Sequence, residues 1–102
     1  MTKFIGRKVI VRGDRSGVFF GTLAEKDGSE VMLTNCRKIW YWEGAASLSQ
    51  LAVDGTAKPE ECKFTVRVDE IVIIDAIEII PCTDKAIESI EGVKEWKTPK
   101  CL

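Results

Sequence analysis

The sequence predicts a mainly β, α+β protein: a small, strongly bent antiparallel barrel with a short helix inserted in it and another near the C-terminal end. Runs of β-branched and aromatic residues alternate with turns rich in Gly, Asp and Ser, the pattern of hairpin-connected strands. Gly21 stands in the middle of one such run, VFFGTLAE, where it suits a strand that bends sharply or is closely approached by a neighbour. Two stretches of helical composition are short and read as attachments to the sheet.

Taken in order, residues 3–12 end in KVIVR, a first strand that GDRSG turns back. Residues 18–25 form the second, with Phe19, Gly21 and Leu23 on one face and Val18, Phe20 and Thr22 on the other. Asp27-Gly28 centres the next turn. Residues 30–42 continue as a third strand, long enough to bend and serve both halves of a barrel. Residues 44–52 favour a short helix with Leu48, Leu51 and Ala52 on one apolar face, ended by Val53-Asp54-Gly55. Residues 56–63 hold a proline and read as an exposed loop.

Residues 64–68 alternate cleanly, setting Phe64, Val66 and Val68 against Thr65 and Arg67. Asp69-Glu70 suits a tight turn, and residues 71–80 are β-rich, bent near Asp75 and stopped by Pro81. Thr83 or Asp84 caps a last helix with Ala86, Ile87 and Ile90 as its stripe and Gly92 as its C-terminal cap. The burial of Trp96 is left open. One domain is expected over residues 1–98, with a mobile tail at 99–102.

Composition narrows the function. With 45% hydrophobic and 30% charged residues the chain reads as an ordinary globular one, and its longest apolar run, 71–80, is far too short to span a membrane. No secretory signal opens it, so a cytoplasmic location is expected. A net charge of -1 supplies no global field for nucleic acid, although Lys3, Arg7, Lys8, Arg12, Arg15, Arg37 and Lys38 crowd the first half. The chain has no histidine, and its four cysteines are widely spaced without a CxxC, which removes zinc fingers, His-ligated metals and Ser/His or Cys/His catalysis together. No metal, cofactor or catalytic role is expected, and Cys36 and Cys82 read as reduced core residues. Asp69, Glu70, Asp75 and Glu78 have opposite-facing spacings and read as a solvated edge.

The stretch NCRKIWYWEGAASLSQL, residues 35–51, holds the densest recognition chemistry. Aromatic faces stack on flat rings and cationic side chains hold anions, so Arg37, Lys38, Trp40, Tyr41 and Trp42 suit a nucleotide-like ligand. Strand alternation turns at least one of these rings outward, either Tyr41 or the Trp40 and Trp42 pair, and an outward ring suits a subunit interface as well as a ligand. Gly44-Ala45-Ala46-Ser47 is either a tightly packed helix start or an anion site to which Ser47 or Ser49 adds a hydroxyl. Arg12, beside the first turn, completes the candidate set.

Two resemblances follow. The segment VIVRGDRSGVFFGTLAEKDGSEVMLTNC resembles the first half of an Sm-like or SH3-like barrel, which implies that fold and an Sm-like RNA-binding or host-protein-binding alternative. The chain departs from the Sm-like pattern by lacking an N-terminal helix and by carrying the WYW and helix segment in a loop that is ordinarily short. The core WYW-x-GAASLSQLA, with VDEI, IEIIPCT and a final Trp, is similar to a family of small bacteriophage and prophage proteins of unknown function. That likeness implies an accessory or counter-defence role in the host cell cytoplasm. By analogy it implies a homo-oligomer that sequesters a nucleotide immune signal.

Overall fold

The computed structural model describes residues 3–99; the tail from residue 100 on, with Cys101, lies outside the described residues. The strands are β1 (Lys8–Gly13), β2 (Val18–Asp27), β3 (Glu30–Tyr41), β4 (Lys63–Phe64), β5 (Val68–Ile73) and β6 (Ala76–Pro81), and the helices are α1 (Leu48–Asp54) and α2 (Asp84–Glu91). They form a 6-stranded antiparallel sheet in the order β4-β3-β2-β1-β6, with β5 also on β3. As expected, β3 is long enough to serve both halves: Val31 to Cys36 pair with β5, and Ile39 and Tyr41 pair with β4. The sheet curls as a bent barrel with the two helices attached.

Alternation along the strands builds two hydrophobic clusters. Ile10 and Phe20 join Ile39, Leu51, Phe64, Ala86 and Ile90 on the side covered by the helices. On the other side Val9, Val11, Phe19 and Leu23 meet Val31, Leu33, Cys36 and Ile73. Phe20, Leu23, Leu33, Phe64 and Ile90 are all nearly sealed from solvent, and each contributes about 1.5–3 kcal/mol by leaving water.

Gly21 answers to a close approach. A Cβ there would stand 2.6 Å from Cys36 Cβ, so the neighbouring strand leaves no room for any side chain. That strand carries a bulge at the same place: Phe20 faces Arg37 but Thr22 faces Thr34, and Asn35 takes the extra position at φ 47°. The bulge advances the alternation by one, so that Cys36 stays with the Leu33 cluster while Arg37 and Ile39 turn to the opposite one.

Three boundaries differ from the sequence expectation. α1 begins at Leu48 and not at Gly44, because Ser47 caps it by accepting from Gln50 N. Residues 56–63 contain a 3-10 turn at Pro59–Glu61. The run expected as one strand over 64–68 divides: β4 stops at Phe64, and β5 runs through Asp69 and Glu70, where a turn was expected. Alternation reports faces and not partners, and here the partner changes between Phe64 and Val68. The corner at Asp75 is where the sequence placed it, and α2 has the expected Thr83 cap, Gly92 end and buried Ala86 and Ile90. Cys36, Cys62 and Cys82 are free thiols and buried.

Candidate functional site

Downstream of the bulge, β3 divides its side chains between interior and surface. Arg37 corrects the expectation that it would hold an anion. It is 1% exposed, and its guanidinium donates to the carbonyls of Thr65, Ile90, Val93 and Phe64 at 3.1, 3.2, 2.9 and 3.2 Å. It clamps β3 to the β4 segment and to the C-terminal end of α2, where helix carbonyls favour a cation. Burial lowers its pKa to about 10, with neighbouring Arg67 adding to the fall and Glu95 opposing it, so it stays charged at neutral pH.

Lys38, half-buried, and Trp40, exposed, lie on the other face. The Lys38 ammonium sits 5.5 Å from the Phe19 ring centre and 5.6 Å from that of Trp40, which is 59% exposed. Tyr41 is also exposed, and its hydroxyl donates to Glu43, a bond that raises the phenol pKa. Trp42 is half-buried against the helix-side cluster and donates from Nε1 to Ala45 O at 3.2 Å.

The segment between Gly44 and α1 uses its own side chains to cap the helix start. Gln50 Oε1 accepts from Ala46 N at 2.7 Å, and Ser47 Oγ accepts from Gln50 N at 3.1 Å. Gly44 is required by the chain crossing it, since a Cβ would meet Lys58 N at 2.5 Å. Of the two readings of this helix start, the structure shows a packed, internally capped turn, with Ser47 as the cap and Ser49 exposed on α1. Arg12 lies on the β1–β6 ladder, 3.8 Å from Glu78.

The partner that the sequence did not assign is Trp96. After Gly92 the chain returns beside β4 in a parallel bridge between Phe64 and Glu95, with Trp96 N donating to Phe64 O at 2.8 Å. Arg67 secures this strap through its backbone N and its guanidinium, 3.0 and 3.3 Å from Glu95 Oε2. Trp96, 46% exposed, consequently stacks on Trp40 with ring centres 6.1 Å apart and planes at 18°. The Lys63 ammonium lies 5.5 Å from the Trp96 ring centre. The only signal in the sequence was a large aromatic within the otherwise polar VKEWKTPK.

Two open grooves adjoin this region and share Pro59 and Gly92. The first, about 420 Å³, runs from Pro59 and Cys62 past Lys94 to Trp96; the second, about 450 Å³, lies against Lys85, Glu88 and Ser89 of α2. Among the described residues no group of three or more Cys, Asp or Glu side chains is placed to share a metal ion. The exposed chemistry is that of adsorption: two stacked indoles bordered by two ammonium groups.

A family model for a domain of unknown function, DUF6948, matches residues 6–90. The chain belongs to the DUF6948 family. The match takes in every strand of this DUF6948 domain and both helices up to Ile90, whereas Trp96 and its strap lie beyond it. Among solved structures the domain is similar to a heptameric archaeal Sm protein, at 18% identity over 80% of this chain and 94% of that one, with a TM-score of 0.52. It is equally similar to the Sm protein heptamer of P. aerophilum, at 18% identity over 80% and 86% of the two chains, again with a TM-score of 0.52. At that identity the likeness is one of fold, and the DUF6948 domain has an Sm-like architecture. No curated protein matches the sequence.

Proposed function

We propose that this DUF6948 domain is a non-catalytic, self-associating Sm-like module that binds a nucleotide-like ligand. The observation that carries the reading is the state of the two outer strands. β5 pairs only with β3 and β6 only with β1 among the described residues, and the corner between them exposes Val72, Ile74 and Ile77 by 53, 72 and 55%. Unpaired, apolar strand edges are a liability for a solitary chain and an asset for one that adds copies edge to edge. Pairing β5 of one copy with β6 of the next is heterologous, and such contacts close into rings when the rotation permits. Both similar solved structures are described as heptamers.

The ligand reading rests on Lys38 lying against the exposed ring of Trp40, with Tyr41 exposed next to it in the chain. If the gene is phage-borne, as the WYW-x-GAASLSQLA resemblance implies, capture without turnover would withdraw a signalling nucleotide from the host cytoplasm. The fold favours a second reading, RNA as the ligand, which predicts binding that weakens steeply with salt.

Native mass spectrometry of the purified protein tests self-association. The wild type is expected as a closed multimer, and Ile74→Lys with Ile77→Lys as a folded species of lower subunit number. A monomeric wild type, or a double variant with unchanged stoichiometry, would remove the edge-pairing reading.

A further inference from the structure

We infer that Trp40 and Trp96, with Lys38 and Lys63, form one platform that holds a nucleotide unit, its base on indole and its phosphate on ammonium. This rests on the nucleotide reading above and adds to it two residues that lie apart in sequence from the WYW segment. Both indoles remain about half exposed although they stack on each other, so each keeps free surface. Lys38 and Lys63 stand 5.6 and 5.5 Å from the two ring centres. Neither makes an ion pair with a carboxylate among the described residues, while the nearby Glu95 is taken by Arg67 and Lys97.

The arrangement selects its occupant by chemistry. The rings already have cations beside them, so a further cation, such as a methylated amine or an arginine, would meet repulsion. A purely apolar partner would have to strip water from two ammonium groups without replacing it. A flat ring carrying a phosphate satisfies both components at once, by stacking on indole and pairing with lysine. The groove leading from Trp96 past Lys94 toward Cys62, about 420 Å³, offers room for the sugar and for a second unit. The strap holds the platform together: Trp96 reaches Trp40 because its backbone is bonded to Phe64 and its neighbour Glu95 to Arg67.

Tryptophan fluorescence and calorimetry on the full chain test this with adenosine monophosphate, a cyclic dinucleotide and short oligouridine and oligoadenosine. The wild type is expected to bind at least one probe. Trp40→Ala and Trp96→Ala should each weaken that binding by about tenfold, given what stacking on one aromatic is worth. Trp96→Phe should recover part of the loss. Lys63→Gln should weaken binding and flatten its salt dependence, while Lys85→Gln on α2 should change nothing. Binding of the monophosphate marks a free nucleotide as the source; binding of the oligomers alone marks single-stranded RNA. Wild-type affinity in folded Trp96→Ala overturns the platform and leaves the nucleotide reading standing. Failure of the wild type to bind any probe overturns both, and a fall in subunit number on Trp40→Ala shows the indoles to be a subunit contact.

Discussion

Arg37 shows at the level of a single residue how a functional-looking side chain becomes structural. Arginine is rarely fully buried, so beside Lys38 and Trp40 it reads as a surface cation. The bulge at Asn35 reverses that by shifting the alternation one position, and nothing in the letters TNCR beyond the tolerance of Asn for positive φ announces it. Once inside, the guanidinium is satisfied by four carbonyls and has no carboxylate within 4 Å among the described residues. Lysine cannot reproduce the planar fork, and methionine leaves the carbonyls without their donor. Arg37→Lys and Arg37→Met should each lower the unfolding free energy by about 3 kcal/mol, read from urea transitions. Because burial holds its folded pKa below the ordinary guanidinium value, the folded state releases this proton first. Stability linked to Arg37 therefore rises as pH climbs above about 10, and is flat in pH through the neutral range.

Among the elements, the two ends of the sheet are joined at their turns. Asp75, at the β5–β6 corner, accepts from Arg15 N at 2.8 Å, Ser16 N at 3.0 Å and Ser16 Oγ at 2.5 Å, tying that corner to the β1–β2 turn. The Ser16 hydroxyl and the Arg15 amide hold its carboxyl below the ordinary aspartate value of 3.8. A depressed carboxylate stabilises the fold fully above that value, and the contribution is lost as pH falls through the lower, folded one. Asp75→Asn should lower the melting temperature at neutral pH, and the gap from wild type should narrow only in strongly acidic buffer. Equal gaps at all pH values would show that the carboxylate charge is not what joins the turns. Elements of this kind were readable in part. The corner at Asp75, the Gly55 end of α1, both caps of α2 and the two faces of β2 follow from local residue chemistry. The transfer from β4 to β5 was not readable, because FTVRVD alternates without a break across it and only the tertiary partners reveal the change.

For the whole molecule, the barrel class was legible because patterning and turn chemistry agree at every hairpin. The proposed platform was legible by half: Lys38 and Trp40 belong to the stretch that the sequence singled out, whereas Trp96 and Lys63 arrive from segments remote in the chain. Self-association adds one further expectation at this scale. If copies join through β5 and β6, assembly and folding are linked by mass action, and the melting temperature should climb as protein is concentrated. A melting temperature independent of concentration over a hundredfold dilution would argue for a solitary fold.

The strap after Val93 is fastened to the body by Phe64, Arg67 and one ring contact, and it lies beyond the residues matched by the family model. On the reading proposed above, a relative that keeps the barrel but carries a different strap would share the assembly with altered taste, so that selectivity would be written beyond Val93.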